Sequence, residues 1–117
     1  QIDSNSTTPV ELLALSVNGV EEDEVLSIVG TSDYTGTVAG DTARFDIFIG
    51  GVTEAWNQTR APFAGGNTSN SATVSFVAVN RSGNLTVQLM MRRAAGSGTL
   101  TAARKSLRVL RTRKRSS

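Results

Sequence analysis

Thr42-Ala43-Arg44-Phe45-Asp46-Ile47-Phe48-Ile49, followed at once by Gly50-Gly51, is the stretch on which the reading of the fold depends. Ala43, Phe45, Ile47 and Ile49 alternate with Thr42, Arg44, Asp46 and Phe48, the period of two that puts one set on each face of a β-strand. Gly50-Gly51 turns the chain into a second run, Val52–Gln58. The same period extends in both directions. Upstream, Val10–Val17 puts Leu13, Leu15 and Val17 on one face before the turn signal Asn18-Gly19. Glu24–Tyr34 sets Val25 and Val29 against Leu26 and Ile28, which predicts burial on both faces. Downstream of a loop rich in Gly, Asn and Ser, Ala72, Val74, Phe76 and Ala78 face inward on a fifth strand. The turn Asn80-Arg81-Ser82-Gly83 leads to Leu85, Val87, Leu89 and Met91. After the small residues Ala94–Gly98, two short strands, Thr99–Ala102 and Ser106–Leu110, close the domain. No stretch has a helical period.

This pattern predicts an all-β, eight-stranded antiparallel β-sandwich of jelly-roll type. A seven-stranded immunoglobulin-like sandwich is the rival, weakened by the missing Cys…Trp…Cys pattern. The 117 residues make one domain. Its expected parts are a polar N-terminal arm over 1–9, the sandwich over 10–111 and a frayed basic tail over 112–117. No apolar run approaches the ~18 residues of a membrane span.

The charges are sorted along the chain. All ten carboxylates lie at or before Glu54, with a single base, Arg44, among them, so residues 1–54 carry a net −9. Residues 55–117 carry eleven bases and no acid, a net +11. A fold that separates early strands from late ones becomes polarised and suited to docking. The expected docking residues are the acidic run Glu21, Glu22, Asp23 and Glu24 and the bases Arg104, Lys105, Arg108, Arg111, Arg113, Lys114 and Arg115. An acidic protein surface is the expected partner of the bases. Nucleic acid is the lesser alternative: the run can neutralise phosphates, but no aromatic lies in the basic segment to stack on bases. Leu12, Phe48, Val77, Val79 and Met90 fall opposite the inward set, and such an outward apolar group predicts an oligomer interface.

Catalytic chemistry is scarce. The chain has no His and no Cys, which removes the usual general base, thiol nucleophile and zinc ligands. Ser106 and Lys105 are adjacent, and neighbours on a strand point to opposite faces. Asp33, Asp41, Asp46 and Glu54 are scattered over loops and outward strand positions, which predicts solvated surface rather than a hydrolase pair. Glu21–Glu24 lacks the spaced ligands and turn glycine of a calcium loop. The expectation is therefore no enzyme, metal or cofactor. Five Asn-x-Ser/Thr sequences, at Asn5, Asn57, Asn67, Asn80 and Asn84, read as turn and strand chemistry. Tyr34 and Trp56 read as core or interface packing ahead of a sugar-binding surface.

The run Phe45-Asp46-Ile47-Phe48-Ile49-Gly50-Gly51, then Ser71–Val79, then Gly83-Asn84-Leu85-Thr86-Val87-Gln88-Leu89, resembles a viral jelly-roll pattern. The ending, Arg92-Arg93-Ala94-Ala95-Gly96-Ser97-Gly98-Thr99-Leu100-Thr101 with Arg104-Lys105-Ser106-Leu107-Arg108-Val109-Leu110, resembles the closing hairpin of small trimeric jelly-roll proteins of bacteriophage particles, both head-decoration proteins and tail-fibre tips. The similarity covers roughly residues 10–111 and is carried by alternation and turn residues. That family shares no catalytic residues. The resemblance implies a homotrimer on the capsid surface, assembled in the host cytoplasm, with the major capsid protein or another virion protein as partner. Its bases would then meet the capsid shell or a neighbouring subunit's Glu21–Glu24. The implied role is a decoration or cement protein; the alternative is a receptor- or glycan-binding tip of a tail fibre.

Overall fold

The computed structural model describes residues 2–4, 7–60 and 70–114. Its strands are β1 (Ile2–Ser4), β2 (Val10–Val20), β3 (Glu24–Gly36), β4 (Thr42–Ile49), β5 (Val52–Arg60), β6 (Asn70–Val79), β7 (Gly83–Ala95) and β8 (Leu100–Arg113). They form two antiparallel sheets, β1-β8-β3-β6 and β2-β7-β4-β5, around one core. Seven strands are long, four in the second sheet and three in the first; β1 adds three residues at an edge.

The pairing is nested. β4 pairs with β5, β3 with β6, β2 with β7 and β1 with β8, and two further ladders join β4 to β7 and β3 to β8. Among the described residues, every ladder joins a strand before Gly50-Gly51 to a strand after it. At the centre of the nest, Ile49 faces Val52 across a two-residue reversal. Gly50 and Gly51 both have positive φ there, 59° and 81°, the geometry of a type I′ turn and costly for other residues.

The alternation read from the sequence holds on β4, where Ala43, Phe45, Ile47 and Ile49 are buried, and on β7, where Val87, Leu89 and Met91 are buried. Leu26 and Ile28 of β3, Ala72, Val74 and Ala78 of β6, and Leu100, Ala102 and Leu107 of β8 meet them from the other sheet. Gly30 leaves space that Leu89 fills: a Cβ there would lie 2.7 Å from Leu89 Cδ1. Tyr34 packs on Phe45 with ring centroids 5.6 Å apart, and its hydroxyl reaches Thr59 Oγ1 at 3.0 Å.

Several expectations for β2 and β8 need correction. In β2 the register shifts between Glu11 and Leu13 and again between Val17 and Val20. An inserted residue reverses which side chains point inward, so Leu12 is buried in the core rather than outward, and Leu15 is exposed. Asn18-Gly19 is the second of these irregularities, not the hairpin turn; the chain reverses at Glu21–Glu24, closed by the Glu24 N–H donating to Glu21 O at 2.9 Å. Finally, Thr99–Ala102 and Ser106–Leu110 are one strand, β8. Arg104, at φ 49°, marks a shift in its register against β3, so the span 10–113 holds seven strands rather than eight. Thr112 and Arg113, expected in the frayed tail, pair with Val25 and Glu24.

Candidate functional site

Because β3 and β8 run side by side, the acidic run and the end of the basic run meet. Arg111 grips Glu24 with two prongs, Nε to Oε1 and Nη2 to Oε2, each at 2.9 Å. Its Nη1 and Nη2 also donate to the carbonyls of Asn18 and Gly19 at 2.9 and 3.2 Å. Arg113 Nη1 reaches Glu21 Oε2 at 3.0 Å and Asp23 Oδ1 at 2.8 Å. The Glu21 N–H donates to Glu24 Oε2 at 2.8 Å. Arg111 first, and the Glu21 amide second, hold the Glu24 carboxyl down from the ordinary 4.5 to about 2, against the opposing effect of burial. In return Glu24 raises Arg111, and Glu21 and Asp23 raise Arg113.

Glu21, Asp23 and Glu24 of the expected acidic patch and Arg111 and Arg113 of the expected basic one thus form an intramolecular junction, while Glu22 is exposed. The early and late strands are not segregated: each ladder of the described residues brings an early strand against a late one. Of the remaining bases, Arg104 is highly exposed and 3.9 Å from Asp33. Lys105 is half-buried and Arg108 exposed. Lys114 Nζ donates to Asn80 Oδ1 at 2.9 Å. Arg115 lies outside the described residues.

A second charged group sits on the outer face of the β2-β7-β4-β5 sheet. Arg44 holds Asp46 with two prongs, Nε to Oδ1 and Nη2 to Oδ2, both at 3.0 Å. Arg92 Nη2 approaches Asp46 Oδ2 at 3.6 Å. The Trp56 ring centroid lies 4.3 Å from Arg44 Cζ, a cation–π contact, and Trp56 is 53% exposed rather than packed in the core. Asp46 was expected to be solvated, yet it is wholly buried: the register sets Met90 on one side of it and Trp56 on the other. Asp41 is buried too, because the N–H groups of Gly98 and Ser97 donate to it at 2.7 and 3.3 Å. Glu54 pairs with Arg81 at 2.6 Å, and the Asp33 carboxylate accepts from Ser71 at 2.7 Å. Ser106 Oγ bonds Thr31 Oγ1 at 2.7 Å across the ladder. Among the described residues no three acidic side chains gather to hold a metal ion.

The outward apolar residues do not form one patch. Leu12 is in the core; Phe48 and Met90 are half-buried on the outer face of the β2-β7-β4-β5 sheet. Val77 and Val79 lie on the outer face of the other sheet and are exposed. Their rows, Val77–Ser27–Leu110 and Val79–Val25–Thr112, bring in Leu110, at 64% the most exposed large apolar side chain of the described residues. Beside this strip a groove of about 640 Å³ runs between Leu15 of β2 and Leu107–Leu110 of β8. Among the described residues β8 is paired on its β1 side only at Leu100–Ala102, so the groove follows an open sheet edge. Sequence reasoning passed over Leu110 and Arg44 as candidate site residues. One signal marks Arg44: it is the only base in the acidic half of the chain.

Comparison with protein-family models, curated proteins and solved structures finds no match to this chain.

Proposed function

We propose that the chain is a jelly-roll subunit of a virus particle, a decoration protein that binds and reinforces the shell as an oligomer. The nested strand order is the observation that supports this most. Rolling one long hairpin about Gly50-Gly51 gives pairs 4–5, 3–6, 2–7 and 1–8 divided between two sheets, the arrangement expected of a jelly roll, with β1 as its short eighth strand. The strip of Val77, Val79, Val25 and Leu110 suits contact between copies, because rows without charge can meet their own image. The open β8 edge suits an added strand from a shell protein. Arg104, Lys105 and Arg108 on that edge select an extended segment with acidic residues. They disfavour a second β8, which would set base against base.

Copy number on purified particles tests this reading. Quantitative mass spectrometry with electron microscopy should find hundreds of copies on the shell. Particles without the protein should release their genome at lower temperature while still adsorbing to cells. A second reading, the receptor- or glycan-binding tip, is favoured by the exposed Trp56 on its sheet face. A handful of copies, and loss of adsorption without loss of robustness, would establish it instead. For the oligomer, light scattering at micromolar concentration should give a multiple of the chain mass that falls to the monomer in Leu110→Ser. A monomeric wild type would remove the strip from the proposal.

A further inference from the structure

We propose that the outer face of the β2-β7-β4-β5 sheet holds an oxyanion-binding site between Arg44 and Arg92. Arg44 and Arg92 are direct cross-strand neighbours, and like charges facing each other on a sheet repel. One carboxylate, Asp46, serves both. The next acid on this face is Glu11, opposite Met90, and it already accepts from Gln88 Nε2 at 2.6 Å. The group is therefore short of negative charge.

It also has room for it. A cavity of about 170 Å³ is lined by Thr7, Arg44, Gln58, Arg92, Arg93 and Ala94. Arg92, which lines it, has a buried Nε with no acceptor, and its contact with Asp46 at 3.6 Å is too long for a hydrogen bond. An oxyanion in the cavity would supply the missing charge. The guanidinium fork is the side-chain group best shaped for that task. Gln58 and Thr7 add an amide and a hydroxyl as uncharged donors. The cavity is smaller than a typical ligand pocket, so it takes a carboxylate, sulfate or phosphate group, either free or pendant on a saccharide. A saccharide would find an apolar surface beside the site in the exposed indole of Trp56. The inference does not depend on the virion reading.

Titration of the intact chain with acetate, sulfate and phosphate tests it, with chloride exchanged to hold ionic strength constant. The readout is the Nε–Hε resonance of Arg44, the cross-strand neighbour that every variant keeps. The expected result is a saturable shift that chloride does not give, weakened about tenfold in Arg92→Gln and less in Arg92→Lys, which keeps the charge but loses the fork. Without oxyanion, Arg92→Gln should melt no lower than wild type, since it removes the Arg–Arg repulsion; this separates loss of the site from loss of the fold. Glucuronate and galactose 6-sulfate distinguish the sources. Tighter binding than acetate and sulfate, abolished by Trp56→Ala, assigns a saccharide-borne group, and equal binding assigns a free anion. Shifts that rise linearly, are matched by chloride, or are unchanged in both Arg92 variants would overturn the proposal.

Discussion

The junction where β3 meets the end of β8 and the outer face where β4 meets β7 are built from the same chemistry and finish differently. At the junction, Glu21, Asp23 and Glu24 face Arg111 and Arg113, so acids and bases are closely matched. On the outer face, two arginines share Asp46. The difference follows from one residue. Every ladder of the described residues sets an acidic-half strand against a later one, which tends to neutralise charge wherever the early strand brings acids. At β4 the early strand brings Arg44 as well as Asp46, and the excess begins there. Sorting of charge along a chain thus predicts pairing where the topology is nested, and the exception to the sorting marks the place left open.

The largest effect should come from removing the shared carboxylate. Asp46→Asn leaves Arg44 and Arg92 opposite each other without a counter-charge, and breaking such a buried arrangement costs about 3 kcal/mol. Urea unfolding measures this, and a variant as stable as wild type would dissolve the contrast between the two regions. Next comes Asp41, a buried acid answered by backbone amides rather than by arginine. Asp41→Ala leaves the Gly98 and Ser97 N–H groups without their acceptor, a loss of about 2 kcal/mol on the same assay.

The junction itself should reveal its contribution through pH. The Glu24 carboxyl is depressed in the folded chain, so its contribution is complete above 4.5 and disappears as pH falls towards about 2. Wild type should lose stability through that window. Glu24→Gln should start lower at neutral pH and follow a flatter curve there; parallel curves would show that the pairing is idle. The smallest effect should be that of Arg113→Ser. All three partners in that pair are at least half exposed, and solvent and salt screen such ions. Its unfolding midpoint should match wild type within error at moderate salt.

β4, β6 and β7 were legible in the sequence because alternation is unbroken over the runs read there, residues 43–49, 72–78 and 85–91. β2 and β8 were not, for one physical reason. A residue inserted into a ladder changes the face of everything after it while leaving the composition of the strand unchanged. Leu12 and Leu13 are both apolar, so nothing local says which one turns inward. At Arg104 a left-handed backbone looked like a break between two strands. The charged runs were recognised as runs, but their partnership was hidden, because Glu24 and Arg111 are 87 residues apart and meet only through the register of β3 on β8. The burial of Asp46 was hidden in the same way: strand parity placed it outward, and only the flanking strands could supply Met90 and Trp56 to cover it.

The nested ladders also make the two halves of the chain complementary strands of a single duplex. A polypeptide ending at Gly50 holds nine acids and one base, and its remainder eleven bases and one acid, a net −8 against +10. Among the described residues, neither piece contains a β-partner for itself. Severed there, each should be unfolded alone, and the two should reassemble on mixing, faster at low salt. During synthesis the first half emerges ahead of its β-partners, and its charge keeps it off the first halves of neighbouring nascent chains. Folding can begin only when the ribosome delivers the oppositely charged second half.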